Sequence, residues 1–273
     1  MPTVDPRVQT FRKLHESGCF VIPNPWDVGS ARLLEQLGFK ALATTSAGFA
    51  WSIGRPDNGI TIDEALTHLD AVCAAVRIPV SADFERGFAI EPAEVARNVG
   101  RAITTGVAGL SIEDSTHEAD HPLFEFDLAL ERVRAARRAI DDCGTGTVLM
   151  ARTEGFVVGR PDLKETIRRL TAFADAGADC LFAPGLRELG DIEAVVRAVA
   201  PKAVNVGASG NFATVQQLAD IGVRRISVGG GLARVAWGGF LDAAREILEH
   251  GTFATIARSV PGVEINARFE IPE

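Results

Sequence analysis

Short runs of β-branched and small residues alternate with longer segments whose apolar residues recur at helical spacing, and this alternation repeats eight times. The short runs predict strands at 19–22, 41–45, 79–83, 109–113, 148–152, 180–183, 203–206 and 225–228. The longer segments predict helices at 31–37, 62–76, 93–104, 128–140, 163–176, 192–199, 214–221 and 232–248. Strands that alternate with helices pair in parallel, and eight such units close most naturally into a barrel. The pattern therefore predicts an α/β fold, a (β/α)8 TIM barrel.

Glycines mark the ends of several predicted helices. Gly38, Gly106, Gly177 and Gly222 directly follow helical segments, where glycine commonly adopts the left-handed conformation that ends a helix. The alternative is a doubly wound open sheet, which usually has a glycine-rich turn after its first strand. Here that turn reads Pro23-Asn-Pro-Trp-Asp27, which favours the barrel.

Chain length agrees with one barrel. The 273 residues slightly exceed the ~250 residues typical of this architecture. We therefore expect a single domain over residues 1–273, with a C-terminal extension from about residue 252 that packs on the barrel or on a neighbouring subunit.

Composition narrows the class of protein. Lys and Arg number 28 and Asp and Glu 36, and the net charge of −8 disfavours nucleic acid or an anionic membrane as the main partner. No apolar run approaches the ~20 residues that cross a bilayer, and no cationic start leads into an apolar export signal. The four cysteines are scattered without metal-ligand spacing, which indicates reduced thiols. We therefore expect a cytoplasmic enzyme.

Charged residues cluster at the predicted carboxyl ends of neighbouring strands, where a barrel of this type builds its active site. They are Asp57 after the second strand, Asp83 and Glu85 after the third, Glu113 at the end of the fourth and Arg152 at the end of the fifth. Carboxylates brought together repel one another, so a shared cation is the simplest explanation, and all-oxygen ligands favour Mg²⁺ or Mn²⁺ over zinc. The planar guanidinium of Arg152 suits a substrate carboxylate. The alternative, surface charges or internal salt bridges, is harder to sustain for three adjacent strands than for one.

Two other chemistries are disfavoured. None of the four lysines lies at a predicted strand carboxyl end, and Lys40 and Lys202 lie at strand beginnings, so a Schiff-base mechanism lacks its nucleophile. His117-Glu-Ala-Asp-His121 matches the zinc-protease pattern in letters, but that chemistry needs a helix, and this run lies in a predicted loop before Pro122. We interpret it as a chance match. A histidine of this loop could still act as acid or base; the alternative is a solvated loop.

Four segments in order carry a more specific signal. Asp83-Phe-Glu85-Arg-Gly-Phe is similar to an Asp-x-Asp-x-Gly-[Tyr/Phe] metal motif, and Ile112-Glu113-Asp114 to an Ile-Glu-Asp motif. Ala151-Arg152-Thr-Glu-Gly-Phe and the stretch 24–32, followed by Gly38-Phe-Lys-Ala, match two further segments. Together, from about residue 11 to 248, the chain resembles the isocitrate lyase/phosphoenolpyruvate mutase superfamily.

The resemblance implies an assembly and a metal site. It implies a barrel that forms a homodimer or homotetramer, often with its last helix exchanged between subunits. It also implies Mg²⁺ bound directly by Asp83, with Glu85, Glu113 and Asp57 holding the waters of the ion.

The resemblance also implies a substrate class, small 2-oxo or 2-hydroxy acids whose C–C or P–C bond is broken or formed next to an enolate. Thr45, Ser46 and Ala47 align with the segment that holds the substrate carboxylate in the family. Arg152 aligns with an arginine on the oxyanion side, and Asn205 with an asparagine of the lyase branch.

The chain departs from the characterised branches after the fourth strand. Isocitrate and methylisocitrate lyases carry Lys-Lys-Cys-Gly-His or Lys-Arg-Cys-Gly-His there, whereas residues 115–124 read Ser-Thr-His-Glu-Ala-Asp-His-Pro-Leu-Phe. The cysteine and lysines are absent from this loop, so the acid of those lyases is missing. Glu85 also replaces the usual aspartate and is longer by one methylene.

These departures favour decarboxylation, because CO₂ leaves without losing a proton and needs no catalytic base. We therefore predict a Mg²⁺-dependent carbon–carbon lyase of the oxaloacetate-decarboxylase kind, with Arg152, Glu113, Asp57 and His121 as catalytic residues. Three alternatives remain open: phosphonopyruvate P–C chemistry, isocitrate- or methylisocitrate-lyase-like cleavage, and 2-oxo-acid binding with little turnover.

Overall fold

Eight parallel strands form the centre of the molecule. A computed structural model describes residues 5–270. Its strands are β1 (Phe20–Ile22), β2 (Leu42–Ala43), β3 (Val80–Ala82), β4 (Gly109–Glu113), β5 (Val148–Arg152), β6 (Cys180–Phe182), β7 (Ala203–Gly207) and β8 (Arg225–Ser227). Each overlaps its predicted range, so all eight strand predictions are confirmed.

Helices surround the strands. They are α1 (Pro6–Glu16), α2 (Val28–Gln36), α3 (Ser46–Ser52), α4 (Ile62–Ala75), α5 (Pro92–Thr104), α6 (Phe126–Cys143), α7 (Leu163–Asp175), α8 (Leu189–Val199), α9 (Val215–Asp220), α10 (Gly231–His250) and α11 (Gly262–Phe269), with a 3₁₀ turn at Ile256–Arg258. The eight predicted helices are present. Helices α1, α3 and α11 were not predicted: α1 precedes the first predicted strand, α3 has only seven residues, and α11 lies in the segment interpreted only as an extension.

The sheet closes into a barrel. The strand order is β1-β8-β7-β6-β5-β4-β3-β2, with every pairing parallel. Between β1 and β2, the Ala43 N–H donates to the Pro23 carbonyl at 3.1 Å, which completes the ring. The (β/α)8 prediction is therefore confirmed.

Alternation along the strands separates the core from the barrel interior. In β4, Leu110 and Ile112 belong to the apolar core between strands and helices. Ser111 and Glu113 alternate with them and line a cavity inside the barrel. This period of two turns the last residue of β4 towards the interior, where its carboxylate can act on a ligand.

Helix α1 covers the amino-terminal end of the barrel. The Phe11 side chain is fully buried, and its ring centroid lies 4.7 Å from that of His15 and 6.4 Å from that of Phe20. A Cβ atom on Gly109 would lie only 2.6 Å from Cε1 of Phe11, so a glycine at the start of β4 permits this close approach. The apolar cluster around Phe11 seals the end opposite the strand carboxyl ends.

Within residues 5–270, no helix combines the length and the apolar character needed to span a bilayer. The cysteines at 19, 73, 143 and 180 are all free thiols.

The position of Phe11 predicts that its substitution affects the stability of the fold more than ligand binding in the cavity. We expect Phe11→Ala to lower the free energy of unfolding by about 3–5 kcal/mol, because it leaves a cavity in a fully packed cluster. Since the ring is at the end of the barrel away from the strand carboxyl ends, ligand affinity of the folded fraction should change far less than stability does. Denaturant unfolding and calorimetry on the same sample measure the two effects. A loss of ligand affinity equal to the loss of stability would contradict this separation.

Candidate active site

A cavity of about 840 Å³ opens at the carboxyl ends of the strands. All eight strands, or the loops directly after them, contribute to its wall. Representative wall residues in strand order are Asn24, Thr45, Asp83, Glu113, Arg152, Pro184, Ser209 and Val228. The location is the one predicted from the barrel architecture.

Most of the residues predicted for the site meet in this cavity. The wall includes Thr45, Ser46, Ala47, Asp57, Asp83, Glu85, Glu113 and Arg152. Two predicted residues are not among the wall residues. His121 is exposed on the loop after β4, and Asn205 is buried beneath the cavity, where its Nδ2 donates to Ser227 Oγ at 3.0 Å.

Asp83 follows β3 and is held by three donor groups from two residues, one at the end of β5 and one after β2. Arg152 Nη1 lies 2.8 Å from Asp83 Oδ1. The backbone N–H and the hydroxyl of Ser46 donate to Asp83 Oδ2 at 3.0 and 2.9 Å. The β2–α3 junction is thus bonded directly to the predicted metal-binding carboxylate.

Arg152 at the end of β5 is surrounded by acids. Besides Asp83, its guanidinium contacts Glu154 at 2.7 Å and Glu113 at 3.3 Å. Glu113 and Arg152 are register partners on β4 and β5, which explains their proximity. These carboxylates raise the pKa of Arg152 against the opposing effect of burial, so the cation is permanent.

Glu113 also meets the loop after β4. His117 Nε2 lies 2.9 Å from Glu113 Oε1, and His117 adopts a positive φ of 62°. Burial acts to raise the pKa of Glu113, but the charge of Arg152 and the hydrogen bond from His117 bring it below its ordinary value. The histidine that reaches the site is therefore His117, which lines the cavity, rather than His121.

The environment of Glu85 is less favourable to an ionised carboxylate than that of Glu113. Its backbone has a φ of 48°, its side chain is buried, and Oε1 has no hydrogen-bond partner within residues 5–270. Burial, with the charges of Asp83, Glu113 and Asp57, raises the pKa of Glu85 to about 8. The pKa of Asp57 is raised as well, first by partial desolvation at the cavity wall, although the residue is exposed at its surface, and then by the charge of Asp83.

The oxygen atoms and negative charge of the acidic side chains suit a divalent cation. Within residues 5–270, no three His, Cys, Asp or Glu side chains are already gathered as metal ligands. However, Asp57, Asp83, Glu85 and Glu113 all face one cavity, and the unpartnered Glu85 oxygen is a free hard ligand of the type that Mg²⁺ prefers. Direct binding by Asp83 would replace one of the contacts that it makes with Arg152 and Ser46.

Local sequence shapes the segment at Thr45, Ser46 and Ala47. Thr45 caps α3, with its hydroxyl accepting from the Gly48 N–H at 3.2 Å. A Cβ atom at Gly48 would lie 2.7 Å from Thr45 Cγ2 and 2.9 Å from Trp26 Cβ, so glycine is needed there. The segment therefore turns at the cavity wall, where the Ser46 hydroxyl and N–H are bonded to Asp83 and the Gly48 N–H is bonded to Thr45.

Sequence reasoning missed several polar residues that support this wall. Asn24 Nδ2 donates to the Thr44 carbonyl at 3.0 Å, and its Oδ1 accepts from the N–H groups of Val228 and Gly229 at 2.8 and 2.9 Å. Glu154 was quoted only as part of a motif, although it contacts Arg152. The available signal was position, because both side chains follow predicted strands directly.

Asp114 is a buried residue that supports the cavity wall through hydrogen bonds. Its carboxylate accepts from Thr153 Oγ1 at 2.8 Å, from the Glu154 N–H at 2.9 Å and from Arg169 Nη1 at 3.1 Å. The side chain is 2% exposed. Asp114 therefore ties the end of β4 to the end of β5 and to helix α7.

The fold and site define a TIM-barrel enzyme with an acidic cavity at the strand carboxyl ends. A family model described as phosphoenolpyruvate phosphomutase matches residues 11–248. The chain therefore belongs to this family, within the isocitrate lyase/phosphoenolpyruvate mutase superfamily of enzymes.

Three similar proteins illustrate the range of the family. A Burkholderia cenocepacia protein, described only in general terms as a lyase/mutase, has a TM-score of 0.94 and 47% identity, with 98% of this chain and 96% of that chain covered. The 2-methylisocitrate lyase of Escherichia coli is 34% identical over 167 residues, 58% of this chain and 55% of that protein. Oxaloacetate acetylhydrolase in complex with its product oxalate has a TM-score of 0.85 and 27% identity, covering 96% and 93% of the two chains.

The raised pKa of Glu85 predicts a pH dependence of stability. A carboxyl whose folded pKa of about 8 exceeds its ordinary 4.5 binds a proton in the folded state that the unfolded state releases. Its contribution is present below pH 4.5 and is lost as the pH rises to 8, at up to about 1.4 kcal/mol per pH unit. In EDTA, the free energy of unfolding should therefore fall less steeply from pH 5 to pH 8 in Glu85→Gln than in wild type.

Denaturant unfolding across this pH range measures both slopes. Glu131→Gln is a matched control, because that carboxylate is about half exposed on α6, and it should keep the wild-type slope. Equal slopes for wild type and Glu85→Gln would show that Glu85 is ionised in the folded protein.

Proposed function

We propose that the protein is a Mg²⁺-dependent lyase that decarboxylates a small 3-carboxy-2-oxo acid, with oxaloacetate as the model substrate. The observation that carries the proposal is the position of Arg152, which is held among Asp83, Glu113 and Glu154 at the wall of one cavity. A fixed cation among carboxylates suits a reaction in which negative charge develops on an oxygen.

The metal would be held by Asp83, with Asp57, Glu85 and Glu113 around it. When bound, Mg²⁺ supplies Lewis-acid stabilisation to a keto oxygen and to the enolate that follows from it. The carboxylates of the chain orient the ion, and their shared negative charge is what makes a divalent cation favourable in this cavity.

Residues of the chain would perform the remaining tasks. The hydroxyls of Thr45 and Ser46 and the backbone at Ala47 would bind a substrate carboxylate at the wall, with Ser46 exchanging its present bonds to Asp83. Arg152 provides positive charge beside the developing enolate oxygen, and a ligand oxygen would take the place of one of its present carboxylate contacts.

The loop after β4 favours decarboxylation over retro-aldol cleavage. It folds back on itself through a bridge between Ser115 and Leu123, and it brings His117 to the cavity wall. His117 contacts Glu113, and no cysteine or lysine is among the wall residues in the part of the chain that is described. Loss of CO₂ leaves an enolate that needs only a proton, which water or His117 can donate.

We further propose that the enzyme is a homo-oligomer joined through helix α10 and the segment after it. Of the 20 residues of α10, only Ala233 is buried. Large apolar side chains are exposed along this part of the chain, namely Val235, Trp237, Phe240, Leu241, Leu248, Phe253 and Val263. An apolar surface of this extent is typical of a subunit interface, and a second copy of the chain would cover it.

The activity proposal has a direct test. With Mg²⁺, we expect the protein to consume oxaloacetate, followed by its absorbance, and to form pyruvate and CO₂. Asp83→Ala should lower kcat/KM at least about a hundredfold, because the main metal ligand is removed, and EDTA should abolish the reaction. Asp63→Ala is the control, since that carboxylate is 79% exposed on α4.

Product analysis separates the alternatives. Oxalate and acetate in place of pyruvate and CO₂ would assign C2–C3 hydrolysis instead of decarboxylation. Turnover of phosphonopyruvate, seen by phosphorus NMR, would assign P–C chemistry. Activity unchanged by EDTA would overturn the metal assignment.

The assembly proposal is tested by Phe240→Glu. The Phe240 side chain is 60% exposed, so the substitution should leave the fold intact and shift the protein towards the monomer in sedimentation or light scattering. Val215→Glu, at a 49% exposed position on α9, should keep the wild-type mass. A monomeric wild-type protein would contradict the proposal.

A further inference from the structure

A buried arginine lies beneath the proposed site and was not singled out by the sequence. Arg225 is on β8, where it is the register partner of Phe20 on β1 and of Asn205 on β7. The next residue, Ile226, belongs to the apolar core outside the barrel. Arg225 therefore points into the barrel, and it is 1% exposed.

The Arg225 guanidinium is poorly satisfied. Nη2 donates to Ser81 Oγ at 3.4 Å, while Nε and Nη1 have no hydrogen-bond partner within residues 5–270. Its carbon Cζ lies 5.7 Å from the centre of the Phe11 ring. A buried cation with this environment costs free energy, and bulky apolar residues usually fill such positions in barrels.

The position of Arg225 connects it to the site above. It contributes to the wall of the cavity. Arg225 contacts Ser81 on β3, and Asp83 follows two residues after Ser81 in the sequence. Of the charged groups that act on it, Asp83 favours its positive charge and Arg152 opposes it.

We propose that Arg225 supplies a fixed positive charge beneath the cavity floor that selects dianionic ligands over monoanionic ones. This inference rests on the proposed function, in which the site binds Mg²⁺ and a small oxo acid. Arg225 is a positioning and specificity-determining residue, because its unpartnered nitrogens are buried from solvent and it acts on the ligand through charge and through β3.

A positive charge at this place has opposite effects on the binding of anions and on the binding of a metal cation. Coulombic attraction strengthens the binding of an anion, and more so for two negative charges than for one. The same charge repels a metal cation that binds alone. A purely structural role would not produce this opposition, because a distorted site would lose affinity for both ligands.

The test compares wild type with Arg225→Met and Arg225→Lys by calorimetry. Mg²⁺ alone is titrated first, and oxalate and pyruvate are then titrated at saturating Mg²⁺, as dianion and monoanion. For Arg225→Met we expect about tenfold weaker oxalate binding, about threefold weaker pyruvate binding and about tenfold tighter Mg²⁺ binding, since the Coulombic effect scales with the charge of the ligand. Arg225→Lys keeps the charge and should stay near wild type in all three titrations.

Thermal unfolding supplies the control for folding. Removal of an unpartnered buried charge should leave the Tm of Arg225→Met equal to or above that of wild type. Arg225→Gln is a second neutral variant, which retains a donor for Ser81. If neither neutral variant folds, Arg225 is required for the structure and the inference is wrong.

The outcomes separate this inference from the proposed function. If wild type binds neither Mg²⁺ nor oxalate, the proposed function fails, and the inference that depends on it fails too. If wild type binds both and Arg225→Met binds them equally well, or weakens both together, only the role of Arg225 is overturned.

Discussion

The active end of this barrel depends on one buried cation shared by several carboxylates. Arg152 contacts Asp83, Glu113 and Glu154, which belong to three neighbouring strands or the residues directly after them. Without that cation, the acids would face one another in a region with little solvent, where unpaired charge is strongly unfavourable. The same arrangement leaves the cavity acidic enough to attract a metal ion and provides positive charge for an anionic ligand. Structure and proposed chemistry therefore rest on the same ion pairs.

The parts of the molecule that could be predicted are those governed by periodicity. Strand and helix periods define eight units, and parallel strands bring their carboxyl ends to one side of the sheet. That rule alone brought Asp83, Glu113 and Arg152 together. The register of β4 and β5 then places Glu113 opposite Arg152. The roles assigned to these residues stay predictions until they are tested in solution.

The parts that could not be predicted depend on contacts between distant segments. His117 reaches the cavity and His121 does not, because a positive φ at His117 turns the loop, and no hydrophobic pattern encodes that angle. Asn24 joins the ends of β1, β2 and β8 through three hydrogen bonds, of which the two to β8 span more than 200 residues of sequence. Arg225 points into a barrel interior, where apolar residues are usual. Its strand was predicted, but the sequence did not show which way the Arg225 side chain points.

The buried carboxylate of Asp114 has a consequence for how such enzymes diversify. Its three hydrogen bonds anchor the base of the loop to β5 and α7, and the Phe124 N–H returns to the Asp114 carbonyl at 2.8 Å. Residues 115–123 thus form a loop whose two ends are held in place, so its sequence can change without disturbing the barrel. New acids, bases or specificity groups can be exchanged there while the underlying ion-pair framework keeps its geometry, so one scaffold can acquire different reactions through a single short stretch of chain.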